Sequence, residues 1–215
     1  MTRPGRPKLA EGVEPGPLWL DKVDFEKPFS PRELFGDDRP VELEIGSGKG
    51  LFLLTESGRR PEVNFLGVEY VTRVSQVAAR RSYRAGRANV RVLAVDARKL
   101  LPKVETASIA AVHVYFPDPW WKRRHRKRRM IAPDVLTELQ RMLAPDGTLH
   151  LATDVEEYFH SMHRTLAKFP SFARTEDPAP SEGAEESDYL THFERKFRKA
   201  GKAIHRARYH LTCRP

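Results

Sequence analysis

Val41 to Ile45 reads as a buried strand and opens into Gly46-Ser47-Gly48-Lys49-Gly50. Closely spaced glycines let a backbone turn sharply and approach a ligand with no Cβ in the way. A dinucleotide fingerprint would want its third glycine where Leu51 stands, and no G-x-x-x-x-G-K-[ST] phosphate cradle is present. Alone, such a turn is a weak signal, with a merely structural role as the lesser alternative. Glu69, about twenty residues beyond the glycines, ends a second apolar run, where an acid accepts hydrogen bonds from ribose hydroxyls. Asp96 ends a third run, in the analogous place for an adenine amino group. Glycines, Glu and Asp at three successive strand ends point to an adenosine-containing cofactor.

A fourth apolar run ends in Phe116-Pro117-Asp118-Pro119-Trp120-Trp121-Lys122. Two prolines fix φ on either side of one aspartate and stiffen the loop. The adjacent tryptophans are large enough to stack a flipped base. Lys122, Arg123, Arg124, His125, Arg126, Lys127, Arg128 and Arg129 follow as one block. Such a block is often a solvated face, but at the rim of a site it suits phosphate binding. Thr153-Asp154 ends a fifth run, and Thr191-His192-Phe193-Glu194-Arg195 lies far along the chain.

The elements that must position these residues alternate strand and helix. Strands are expected at Val41–Ile45, Asn64–Glu69, Asn89–Val95, Ile109–Phe116 and Thr148–Ala152. Helices are expected from Leu51, over Val71–Ala85, around Val135–Leu143 and over Val155–Phe169. Ala144-Pro145-Asp146-Gly147 reads as a turn. Alternation implies right-handed crossovers and a doubly wound, mostly parallel α/β sheet. Ligands of such sheets bind at the carboxyl ends of the strands. Tyr189–Ala200 reads as helical or mixed, and Ala203–Leu211 as a late strand near an edge. Residues 1–39 form a tail and a segment that packs Trp19, Phe25, Phe29 and Phe35 onto the domain of residues 40–215.

Composition narrows the partners. The net charge is +9, which favours a polyanion such as nucleic acid or an anionic surface. The charge is focused, because Glu176–Asp188 holds six acids and no Lys or Arg. A single cysteine, Cys213, excludes an internal disulfide and a thiolate metal cage. His160 and His163 could share a helix face without the carboxylates of a zinc motif, so no metal is expected. No apolar run approaches the ~20 residues of a membrane span, and Met1–Leu18 has no signal-like apolar core. The cytoplasm is the expected compartment.

Together these residues resemble the bacterial tRNA (guanine-N7-)-methyltransferase family over about residues 40–211. The most specific pieces are Phe116-Pro117-Asp118-Pro119-Trp120 with Lys122, and Arg124-His125 through Arg129. Ala152-Thr153-Asp154 and Thr191-x-Phe193-Glu194-Arg195 support them. The resemblance implies a Rossmann-like class I methyltransferase with a seven-stranded sheet and a late antiparallel strand. It implies S-adenosylmethionine as cofactor, held by Glu44, Gly46, Gly48, Glu69 and Asp96. Asp118 would be catalytic and near the cofactor. Lys122, Asp154, Thr191, His192, Phe193 and Glu194 would bind substrate. Arg124, His125, Arg126, Lys127, Arg128 and Arg129 would touch RNA. The implied substrate is a guanosine in the variable loop of tRNA, and the chain would be a monomer or homodimer. His192 stands where the family usually carries Lys, and His205-Arg206-Ala207-Arg208-Tyr209 is more basic than the family's last strand. Competing readings are a methyltransferase of another substrate, a non-catalytic RNA-binding protein, and a nicotinamide oxidoreductase. The last is disfavoured by Leu51 and by the absence of a catalytic Tyr–Lys pair.

Overall fold

A computed structural model describes residues 14–21, 23–24, 26–175 and 191–213. Phe25, the acidic stretch 176–188 and Tyr189 lie outside the described residues. In chain order the elements are β1 (Trp19–Leu20), α1 (Pro31–Phe35), β2 (Val41–Ile45), α2 (Leu51–Arg59), β3 (Asn64–Val68) and α3 (Thr72–Arg84). There follow β4 (Val90–Leu93), α4 (Ala97–Leu100), β5 (Ile109–Tyr115), α5 (Pro133–Met142) and β6 (Leu143–Thr153). The chain closes with α6 (Glu156–Leu166), β7 (Phe172–Thr175), α7 (His192–Lys199) and β8 (His205–Leu211).

One sheet takes the order β1-β4-β3-β2-β5-β6-β8-β7. β1 through β6 pair in parallel, and β8 is antiparallel to both β6 and β7. Alternation along each strand sends side chains to two faces. Leu43, Ile45, Leu66, Val68, Val112, Val114, Leu149 and Leu151 meet α5 and α6 on one face. Phe65, Val90, Val92, Tyr115 and Ala152 meet Phe52, Leu53, Ala78 and Ala79 of α2 and α3 on the other. From β2 the chain first winds outward through β3 and β4, then returns to β5 on the opposite side. The switch point therefore lies between the carboxyl ends of β2 and β5, where ligands of such sheets bind.

The doubly wound arrangement agrees with the sequence reading, with local differences. The sheet has eight strands because Trp19–Leu20 of the N-terminal segment adds to β4; the Trp19 indole N–H also donates to Ser75 Oγ at 3.0 Å. Ala144–Gly147 is a bulge within β6 and not a turn before it: Ile109 pairs with Leu143 and Ala111 with Thr148, and Asp146 takes φ 59°. Phe172–Thr175 forms β7, a strand the sequence reading lacked. Among the described residues no helix is long and apolar enough to cross a membrane.

Candidate active site

β2 ends at the glycine turn. Gly46 and Gly48 take φ of 77° and 54°, in the left-handed region that side chains disfavour. A Cβ at Gly46 would meet no protein atom within 4 Å, so the turn faces open space. Gly50 takes the close-packing part: a Cβ there would stand 2.7 Å from that of Ala78 in α3. Three carboxylates lie on β2 or just past β3 and β4, at the same end of the sheet as the turn. Glu69, just past β3, accepts from the Gly48 N–H at 3.1 Å and the Val71 N–H at 2.8 Å. Each of its oxygens keeps a lone pair free for a further donor. Asp96, just past β4, caps α4 by accepting from the Arg98 N–H at 3.0 Å. Glu44 is 3% exposed, and its Oε2 has no hydrogen-bond partner. Burial, and then the negative charge of Glu69, push its carboxyl well above the usual range.

β5 ends beside this turn, and the loop after it is strained. Phe116 and Trp120 have φ of 52° and 45°, with Asp118 between them; such values are uncommon for non-glycine residues and occur in tight turns and in functional loops alike. Asp118 is exposed and makes no hydrogen bond or ion pair among the described residues. The two tryptophans divide. Trp120 is half-buried, with His125 at its edge and Arg128 over its face at 5.2 Å, whereas Trp121 is 54% exposed. Lys122, Arg124, Arg126, Lys127 and Arg128 are exposed along a run of 3-10 turns. Arg126, Lys127 and Arg128 line an open groove with Arg98, Pro133 and Asp134. Arg129 turns inward. It donates to the Pro119 carbonyl at 2.8 Å and Ser161 Oγ at 2.9 Å, and its guanidinium lies over Tyr158 at 4.8 Å.

α7 spans from the glycine turn to this loop. Thr191 caps the helix, its Oγ1 accepting from the Glu194 N–H at 3.1 Å, the T-x-x-E arrangement of a helix start. Arg81 of α3 donates to the Lys49 carbonyl at 3.0 Å and to His192 Nε2 at 2.7 Å, tying α7 to the glycine turn. Burial, with the charges of Arg81, Lys49 and Arg195, lowers the His192 pKa and keeps its ring a neutral acceptor. Phe193 and Phe197 pack against Phe116 with ring centroids 6.3 Å and 5.5 Å away. Lys202, just after the helix, holds Asp154 at 2.6 Å. Glu194 is 2% exposed and ion-paired with Arg198 and Arg206. Of the 191–194 group, Phe193 alone is more than half exposed, at 52%.

Residues 38–207 match a family model described as "Putative methyltransferase". The tRNA (guanine-N(7)-)-methyltransferase of Rhodopirellula baltica is 42% identical over 199 residues, covering 89% of this chain and 73% of that one. The chain belongs to this methyltransferase family. The protein of the same description from Geobacillus kaustophilus is 34% identical, with 81% of each chain covered. Among solved structures, the 16S rRNA methyltransferase KamB superposes with a TM-score of 0.62 over 88% of this chain and 96% of that one. At 15% identity that likeness shows the fold alone.

Beneath the site lies a polar network that the sequence did not suggest. The Arg60 guanidinium donates to both oxygens of Glu42, at 2.7 and 2.9 Å. His113 places one ring nitrogen 2.9 Å from Glu42 Oε2 and the other 2.9 Å from the Tyr115 hydroxyl. Burial alone would raise the Glu42 pKa; the hydrogen bonds from His113 and Arg60 outweigh it and bring the value to about 2. Polar residues at alternate strand positions read as a solvated face, and nothing in one sequence says that α2 covers them.

Proposed function

We propose that this chain transfers a methyl group from S-adenosylmethionine to N7 of a guanine in the variable loop of tRNA, in the cytoplasm. The observation that carries the reading is the buried, unpartnered Glu44 oxygen beside a glycine turn that opens on empty space. A buried carboxylate without a partner is costly, and a cationic ligand relieves that cost. Glu69 has acceptor capacity for ribose hydroxyls, and Asp96 stands one strand further out for the adenine amino group.

Bound S-adenosylmethionine supplies a methyl carbon made electrophilic by its sulfonium. Guanine N7 carries a lone pair that is unprotonated at neutral pH, so the protein needs no strong general base. Its task is in-line positioning, worth roughly 7–11 kcal/mol in favourable cases. Positive charge reaches the purine ring during transfer. Asp118, held by Pro117 and Pro119, favours that charge and orients the base through its N–H edge. The exposed rings of Trp121 and Phe193 offer surfaces on which an extruded base can stack. Lys122, Arg124, His125, Arg126, Lys127 and Arg128 hold phosphates without reading sequence. Arg129 braces the loop. Asp154, Thr191, His192 and Glu194 serve the substrate by fixing α7 across the cleft.

The test is incubation with methyl-labelled S-adenosylmethionine and unmodified tRNA, followed by nucleoside identification. Label in 7-methylguanosine is expected. Label in another nucleoside, or none in RNA under conditions where the cofactor binds, would overturn the proposal.

A further inference from the structure

The outer face of α3 carries a row of arginines that neither the cofactor cleft nor the basic loop uses. Arg73, Arg80 and Arg84 are spaced by seven and four residues. That places them within about 40° of one line along the helix and spreads them over roughly 16 Å of its length. The buried residues of the helix, Ser75, Ala78, Ala79 and Ser82, lie on the opposite side. Thr72–Arg84 holds four cations in all, Arg73, Arg80, Arg81 and Arg84, and no acid. Several cations at other helices are paired on their own helix: Arg59 and Arg60 with Glu56, Arg141 with Glu138, and Arg198 with Glu194. None of Arg73, Arg80 and Arg84 has a side-chain hydrogen bond or ion pair among the described residues. Two placements are unfavourable in water. Arg73 sits in the first turn, at the positive end of the helix dipole, and Arg80 and Arg84 repel each other at i,i+4.

Two aromatic side chains bracket the row: Tyr70 is 75% exposed before the helix, and Tyr83 is 54% exposed in its last turn. Cations interleaved with exposed rings suit a nucleic-acid backbone and its bases. α3 begins just after Glu69, at the cleft, and packs on the sheet face opposite to the basic loop, whose Arg129 rests on Tyr158 and Ser161 of α6. Positive charge thus flanks the cleft on both faces.

We infer that the Arg73–Arg80–Arg84 row is a second phosphate-binding surface for tRNA, holding the strand that leaves the cleft on the side away from the basic loop. This rests on the tRNA reading above. Its test is filter binding of tRNA over a range of KCl concentrations, for the wild-type chain and the triple variant R73Q/R80Q/R84Q. The dissociation constant is expected to rise about tenfold or more near physiological salt, and the slope of log K against log salt to fall by about 2–3, at ~0.7–0.9 per phosphate. S-adenosylmethionine affinity and kcat at saturating tRNA stay unchanged, and R73K/R80K/R84K restores the slope. If the triple variant does not fold, each single glutamine variant should lower the slope by about 0.8. An unchanged slope and affinity in folded variants would overturn the inference. So would retained tRNA binding with lost binding to phosphatidylglycerol vesicles, which would assign the row to a membrane surface. The readout is binding, so a chain that binds tRNA without methylating it contradicts the proposed function and not the row.

Discussion

Burial and the nearby Glu69 charge raise the Glu44 carboxyl in the folded protein, and no group hydrogen-bonds its Oε2. A folded-state pKa above the unfolded one means that the folded protein binds the extra proton. That advantage is complete below the unfolded value and is lost as pH climbs through the folded value. Glu44→Gln cannot ionise, so thermal melts should show it gaining on the wild type as pH rises above the ordinary carboxylate range. Each tenfold difference in proton affinity between the folded and unfolded chain corresponds to about 1.4 kcal/mol, roughly 3–6 °C for a chain of this size. S-adenosylmethionine affinity should fall in the same variant, because stability and cofactor binding draw on one carboxylate. Parallel pH curves for the two proteins would contradict this. Glu69, Asp96 and Asp118 stood out in the sequence because each comes at or just after the end of an apolar run, whereas Glu44, inside its strand, was marked only by the family resemblance. The burial of Glu194 was not, since a carboxylate among arginines on a short helix reads as solvated until β8 brings Arg206 to it.

In the loop after β5, Arg129 is the inward-turned member of the basic block, and Arg98 donates to its carbonyl at 3.0 Å. Arg129 bonds the Pro119 carbonyl and Ser161 while its neighbours point to solvent. Hydrogen bonds from a charged donor are worth about 1.5–3 kcal/mol, so Arg129→Ala should lower the urea midpoint measurably and slow methylation, with a smaller loss of tRNA affinity. Neutralising Arg124, Arg126, Lys127 and Arg128 together should do the reverse: little change in stability, weaker tRNA binding, and a salt slope lower by about 0.7–0.9 per lost phosphate contact. If both variants lose tRNA affinity equally and keep their stability, the inward and outward assignments are wrong. Sequence alone cannot separate Arg129 from the block, because eight consecutive polar residues carry no periodicity that marks one as buried. β7 was missed for a related reason, since Phe172 is its one fully buried residue. Ala144–Gly147 misled because Pro-Asp-Gly suits a turn and a bulge alike.

At the scale of the whole chain, the order of strands brings scattered acids to the proposed site. β4, β3, β2 and β5 are neighbours, so their carboxyl ends present Asp96, Glu69, the glycine turn with Glu44, and Asp118 along one edge. Alternating apolar runs made that arrangement readable, because parallel strands buried on both faces are nearly continuous hydrophobic segments. The pairing of Trp19–Leu20 with β4 was not readable, as two residues carry no period. The bridge from α7 through Arg81 to the glycine turn joins residues more than a hundred positions apart. These features converge on Asp118, which stands exposed between two prolines and without a partner among the described residues, beside the proposed cofactor site. Single-turnover methylation of tRNA by the wild type and Asp118→Asn, with S-adenosylmethionine affinity measured in parallel, tests that convergence most directly. A rate lower by on the order of 10²-fold with cofactor affinity nearly intact is the expected result. Equal rates, or a loss explained wholly by weaker cofactor binding, would contradict it.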